Sequence, residues 1–391
     1  VMNYMNPGGY IIADNTLWPD GIITGYDGTD SEIDIPSMIN GVVIRGIGYG
    51  AFGGNTTITK VTMPATMEYI DEYAFHNCSN LETVEFGGTQ IIEEQAFEGC
   101  TSLRDVVLPE TVTYVGPYNF REIGQGSFTA LGATKFDYDC FSESTFDIIT
   151  IGPNSDLSAK TIFYRVKASE IRLGEGIQSI GYGCFCQTKN LKKLELPDSV
   201  TEIGASAFSE TSIRELRIPE GVTEIHESTY FTDNGIVILP STIRHIDTLG
   251  ITAPVVMLQS TDVDLEESAI DSRLLLLPQV YSEEDVHFAL DSDHVRAKSY
   301  VLIAMDASID QSDAFDDYLE AHGFNRISWL GLSPEHLHYN MDDFSFEDGT
   351  VTAYTGTDAN ICVPMLNPDG SYFGWRLDDH LFSGLFIGRL N

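Results

Sequence analysis

The side chains with the greatest chemical potential are few. Cysteines stand at Cys78, Cys100, Cys140, Cys184, Cys186 and Cys362. A nucleophilic thiol needs a depressed pKa and a positioned base, and no local pattern supplies either. Cys184 and Cys186 lie two residues apart, and such neighbours rarely bridge well; no Cys-x-x-Cys pair occurs. Buried structural thiols are expected. His336 and His338, beside Glu335, Asp342 and Asp343, form the nearest local analogue of a metal cluster. Two such imidazoles can ligate zinc, but no third ligand follows at a recognised spacing, so a solvated loop is expected. Residues 283–320 hold eleven Asp or Glu against two Lys or Arg, without the spacing of a calcium loop. Nucleophile elbows, phosphate loops and dinucleotide glycine fingerprints are missing from the sequence. Nor does any motif set two carboxylates across a cleft. The expectation is a protein without catalytic residues, cofactor or metal, and not an enzyme.

Charge narrows the partners. The 391 residues carry 21 Lys or Arg and 59 Asp or Glu, a net charge of −38. Phosphate backbones need clustered cations, so nucleic acid is excluded as a partner. An anionic membrane surface is disfavoured for the same reason. No run of about 18 apolar residues occurs, so membrane insertion as a helix is not expected. Hydrophobic residues make up 42% of the chain, enough for a packed core. Val1 is neither an initiator Met nor the head of a signal-peptide pattern, so the natural start is expected to be missing.

The elements that would position any surface chemistry come from a repeat. Ile47 to Phe52, Ile70 to Phe75, Ile92 to Phe97, Ile180 to Phe185 and Ile203 to Phe208 share the order Ile-x-x-x-small-Phe. Weaker copies place anchors at Phe120, Phe141, Phe163, Tyr230, Ile251 and Ile270, with spacings of 19 to 23 residues throughout. Between anchors lies a short alternating strand ending in Pro, such as Leu191 to Pro197 or Ile213 to Pro219. Period-two alternation buries one face of a strand, and Pro cannot donate the next ladder bond. One such unit has no closed core, so stacked units must share one through rows of equivalent residues. The position before each anchor is mostly small: Ala51, Ala74, Ala96, Asn119, Cys140, Ile162, Cys184 and Ala207.

With that order on view, the chain resembles the BspA-type leucine-rich repeat proteins of bacterial surfaces. Leu191 to Pro197 and Val200 to Phe208 match the family pattern almost letter for letter, and Cys78 and Cys100 occupy its Cys place after the Phe. The lead-in Thr24 to Asp30, Ile33 to Pro36, Asn40 and Gly41 matches as well. The resemblance covers roughly residues 20–270 and departs from the pattern at 121–163, where the Pro, Leu and Ala positions are degenerate. It implies a mainly β, right-handed leucine-rich-repeat solenoid with a parallel sheet. It also implies a non-catalytic, extracellular or cell-surface protein that binds other proteins, as an adhesin does.

The expected organisation is a lead-in over 1–30, the solenoid of about eleven units over 31–270, a small α/β capping segment over 271–343, and a partial second module over 344–391. A separate small α/β domain is the alternative for 271–343. Within that segment Leu274 to Leu277 and Tyr300 to Met305 suggest strands, and 312–322 a helix with Ser312 as cap and Gly323 as stop. Asp348, Gly349, Thr352, Tyr354 and Asp358 repeat Asp20, Gly21, Thr24, Tyr26 and Asp30 at a constant offset of 328. A second array would therefore begin where the chain ends.

In each repeat strand the residue two before the Pro or Gly should point outward. That column holds Thr62, Glu85, Val107, Thr150, Arg172, Glu195, Arg217 and Ile238. A second column holds Lys60, Thr83, Asp105, Lys193 and Glu215. The basic residues stand out against so acidic a chain. The candidate interaction face is thus Lys60, Thr62, Glu85, Val107, Thr150, Arg172, Lys193, Glu195 and Arg217. Loops from 121–163 would add a protruding contact. The expected partner is an extracellular protein, and the chain itself a monomer. Two other readings stay open: a spacer within a longer surface protein, and a carbohydrate-binding or enzymatic site within 271–391.

Overall fold

The computed structural model describes residues 4–5, 9–12, 21–227, 236–260, 263–277, 295–305, 325–330, 344–347 and 350–354. Among them every regular element is a strand. The chain winds as a parallel solenoid, each coil laying one strand on each of two sheet faces. The helix expected over 312–322, the His336 and His338 pair, Cys362 and the anchor Tyr230 lie outside the described residues.

The first face is built of parallel ladders. Glu32–Asp34, Lys60–Thr62 and Thr83–Glu85 pair in order. Val106–Leu108, Ser127–Ala130, Ile148–Ile151, Glu170–Leu173 and Lys193–Glu195 form the next ladder. Glu215–Arg217, Ile236–Ile238, Ile251–Met257 and Ile270–Leu277 form a third ladder, and Val295–Met305 and Asn325–Leu330 pair in parallel onto the same sheet. The second face uses two-residue strands such as Tyr69–Ile70, Ile91–Ile92 and Tyr114–Val115. At the start, Tyr10–Ile12 pairs antiparallel with Ile22–Tyr26. Thr350–Tyr354, at the 328-residue offset from Ile22–Tyr26, likewise pairs antiparallel with the strand before it, Phe344–Glu347.

The core lies between the faces. Phe52, Phe75, Phe97, Phe120, Phe141, Phe163, Phe185 and Phe208 are all buried and stack in one column. Successive rings are 4.9 to 6.1 Å apart, with planes within 21° of parallel. The backbone N–H of Phe75 donates to the carbonyl of Ala96 in the next coil at 2.8 Å, and Phe163 does the same to Cys184. That short approach is why the position before the anchor is mostly small. Asn119 is tolerated there because its Nδ2 donates to the carbonyls of Ile92, Glu93 and Gly116. Hydroxyls make a parallel ladder: Thr111 donates to the carbonyl of Thr89, Thr134 to Val112 and Ser199 to Ile177, each in the preceding coil.

Two tight bends flank each phenylalanine. Two residues before the anchor, φ is positive at Gly50, Tyr73, Gln95, Tyr118, Asp139, Thr161, Gly183 and Ser206. Two residues after it, φ is positive at Gly54, Asn77, Gly99, Glu122, Glu143, Arg165, Gln187 and Glu210. Most of these are not glycine, although L residues pay about 1–2 kcal/mol in this conformation. The stacked coils hold them there.

The stretch 121–163 differs from the expectation. Its degenerate sequence still forms regular coils: Phe120, Phe141 and Phe163 stay in the stack, and Ser127–Ala130 and Ile148–Ile151 keep ladder register. Phe128, Phe136 and Phe146 fill the core around Phe141, which compensates for the altered positions.

Candidate interaction surface

On the first face, residues pointing into the core alternate along each strand with residues pointing out. Leu194 is buried between exposed Lys193 and Glu195, and Leu216 between exposed Glu215 and Arg217. Ladder register then aligns the outward residues in rows. Asp34, Thr62 and Glu85 share one row. Val107, Thr129, Thr150, Arg172 and Glu195 share the next. Within each row the predicted residues fall side by side, one strand spacing apart, while Arg217 stands in a third ladder opposite Ile238. Thr129 was missed because its strand lacks the closing Pro; its place 22 residues after Val107 and 21 before Thr150, the repeat period, would have found it.

The column ends earlier than expected. Ile238 is in register with Arg217 but is buried, 3% exposed, and its neighbour Met257 is 4% exposed. On these two strands the row is apolar and out of the solvent.

The basic residues on this face do not form a free cationic patch. Lys60 Nζ lies 2.7 Å from Glu85 on the neighbouring strand. Arg172 makes a two-pronged contact to Glu170, at 3.0 and 3.1 Å. Lys193 pairs with Glu195 at 3.1 Å, and Arg217 approaches Glu215 at 3.8 Å. The guanidinium of Arg172 pulls the Glu170 carboxyl below its usual pKa, and Glu85 raises the Lys60 ammonium. Such exposed pairs add little stability, but they cancel charge. Between the charged flanks lies a neutral centre. Val107 and Leu131 are each 49% exposed, and Thr129 and Thr150 are half-buried. Leu131 sits two residues past Thr129, hence on the same side of the sheet.

A second polar line runs along the bend edge. Glu98, itself buried, contacts His76 at 3.5 Å and Arg121 at 3.3 Å. Arg121 reaches Glu143, Arg165 reaches Glu143 and Gln187, and Gln187 reaches Glu210. Charges alternate from coil to coil, which ties the stack together electrostatically.

The cysteines have structural partners. Cys78 Sγ donates to the carbonyl of Phe52 and Cys100 Sγ to that of Phe75, each at 3.1 Å. All five described cysteines are free. Burial pushes the thiols of Cys140 and Cys184 well above the usual value. Such thiols are poor nucleophiles at neutral pH. Among the described residues, one group of side chains has metal-ligating geometry, His245, Asp247 and Glu266, on the second face. No helix among them is long and apolar enough to cross a membrane.

A family model of the BspA type leucine-rich repeat region matches residues 31–147 and 156–249 in six copies, more than half of the chain. Among solved structures the chain is similar to a leucine-rich repeat protein from Bacteroides ovatus, at 16% identity and a TM-score of 0.42, over 83% of this chain and 88% of that one. It is also similar to a leucine-rich cell surface protein from Faecalibacterium prausnitzii, at 17% identity and a TM-score of 0.32, over 76% and 98%. A leucine-rich repeat protein from Bacteroides capillosus shares 25% identity at a TM-score of 0.27, over 29% and 88%. No curated protein matches the chain. Period, parallel coils and family match agree, and the chain belongs to the BspA-type leucine-rich repeat family.

Proposed function

We propose that the chain is a non-catalytic, cell-surface or secreted module that docks another protein on its first sheet face, as an adhesin would. The observation that carries this reading is the unevenness of that face. Exposed Val107 and Leu131, with Thr129 and Thr150, form a neutral centre between ion-paired flanks. An apolar centre within a polar rim is the anatomy of a protein interface. Because the rim charges are paired internally, a partner meets them at little electrostatic cost, and they tune rate and register more than affinity. The family match supports a surface location, and the acidity of the chain favours a neutral or basic partner.

The test uses an array of purified extracellular-matrix and serum proteins. The chain is compared with Val107→Glu, Leu131→Glu and the double charge reversal Arg172→Glu/Arg217→Glu. A partner is expected whose capture falls at least tenfold in each of the first two variants. The double reversal should change the association rate and its salt dependence. Capture that is absent throughout, or unaffected by Val107→Glu and Leu131→Glu, would count against this reading and favour a spacer.

A further inference from the structure

On the second face, Glu224–Ile225, His245–Ile246 and Asp264–Leu265 pair in parallel, with Ile225, Ile246 and Leu265 in one buried row. The residues on either side of that row point outward. Glu224, His245 and Asp264 line up before it, and His226, Asp247 and Glu266 after it. Three coils thus bring two imidazoles and four carboxylates onto one small area.

Their arrangement is directional. His245 Nε2 lies 2.9 Å from Asp247 Oδ1 and 4.0 Å from Glu266 Oε1. One ligand atom from each of the three residues lies within 4.8 Å of the other two. Each residue's remaining polar atom is held elsewhere. His245 Nδ1 meets Asp264 Oδ2 at 3.1 Å. Asp247 Oδ2 accepts from the Glu227 N–H at 3.1 Å and faces His226 Nδ1 at 3.5 Å. Glu266 Oε2 accepts from the Thr248 N–H and hydroxyl, at 3.0 and 2.8 Å. A carboxylate on the distal ring nitrogen, with anchored ligand carboxylates, is the outer shell that orients metal ligands.

We propose that His245 Nε2, Asp247 Oδ1 and Glu266 Oε1 form a binding site for a divalent transition-metal ion of the zinc class, with His226 at its margin. Ligands about 2.0–2.2 Å from a tetrahedral ion stand about 3.4 Å apart. The observed 2.9 and 4.0 Å from Nε2 bracket that spacing, with one ligand atom of each residue within 4.8 Å of the other two. Binding places the Nε2 lone pair on the ion, keeps the proton on Nδ1 where it is donated to Asp264 Oδ2, and relieves repulsion among the carboxylates. The imidazole favours a borderline ion, whereas calcium takes six to eight oxygens. His245 and Glu266 are part-exposed, so water completes the coordination. The net charge of −38 raises the local cation concentration.

The test takes the whole chain, stripped with chelator, and titrates it with zinc chloride by calorimetry and with cobalt chloride by visible absorption. One saturable ion per chain is expected, with calcium not competing at equal concentration. His245→Ala and Glu266→Gln should each weaken binding at least tenfold, and Asp264→Asn by about tenfold. His336→Ala/His338→Ala should leave binding unchanged. Melting curves in chelator should coincide for His245→Ala, Glu266→Gln, Asp264→Asn and the unmodified chain, since these side chains stand outside the core. No saturable uptake below about 1 mM, undiminished uptake in His245→Ala, or loss in the His336/His338 variant would each overturn the site.

Discussion

Phe185 and Phe208 lie in successive coils with ring centroids 5.6 Å apart and planes 4° from parallel. On its other side Phe185 stacks on Phe163 at 5.2 Å. Both ring faces are thus occupied, and the residue is fully buried. Phe185→Ala should cost about 3–5 kcal/mol, the transfer of the ring plus the cavity left between two coils. Phe185→Leu should cost less. Equilibrium urea unfolding measures both, and a loss under about 1 kcal/mol in the alanine variant would contradict the stack as a source of stability.

Gly54 and Gly181 separate two uses of glycine in this fold. Gly54 has φ +71°, and the space a methyl group would enter there is open, so Gly54→Ala meets only the conformational cost of about 1–2 kcal/mol. Gly181 has no such φ. A Cβ there would stand 2.0 Å from the carbonyl oxygen of Ala159 and 2.5 Å from that of Ser158, both in the neighbouring coil. Gly181→Ala must push two backbones apart and should destabilise more than Gly54→Ala. Calorimetric melting ranks them, and the reverse order would contradict the close approach of the coils.

Thiol labelling reads burial coil by coil. Cys78, Cys100, Cys140 and Cys184 are buried, while Cys186 is half-buried. Burial also raises the Cys140 and Cys184 thiols, leaving little thiolate at mildly alkaline pH. Iodoacetamide followed by peptide mapping should modify Cys186 first among these five. The other four should react only as the fold opens in urea. Equal rates in the native state would contradict the packing described.

Alkaline pH should weaken the second face. Burial, then the carboxylates of Asp71 and Glu68, push the Tyr69 phenol up to about 12. An unfolded tyrosine titrates at about 10. The folded state holds the proton more tightly, so this contribution is complete below pH about 10 and is lost as pH rises toward 12. Between pH about 9 and about 11 the unmodified chain should therefore lose more stability than Tyr69→Phe. Urea midpoints at the two pH values measure it, and equal losses would contradict the assignment.

Much of this was legible in the sequence because the repeat converts spacing into position. The anchors from Phe52 to Phe208 fall in one stack, and the outward residues from Val107 to Glu195 fall in one row. What escaped depended on contacts that spacing does not encode. Lys60 and Arg172 stand out as basic residues in the columns, but their pairing with Glu85 and Glu170 is not written in the spacing. Ile238 fits the outward pattern, yet it is buried where the row turns apolar. His245, Asp247 and Glu266 form no local motif, since Glu266 reaches the other two from the next coil. The buried row Ile225, Ile246 and Leu265 was the signal that would have aligned them.

The docking face exists only if successive coils advance by one strand spacing. Val107 and Glu195 are four paired strands apart, which at 4.7–4.9 Å per step is about 19 Å. Spin labels at Val107→Cys and Glu195→Cys, in a background of Cys186→Ser and Cys362→Ser, measure that separation by pulsed electron resonance. A single narrow distribution within several ångström of it is predicted. A broad distribution, or a mean beyond about 30 Å, would contradict the stacked coils and the surface built on them.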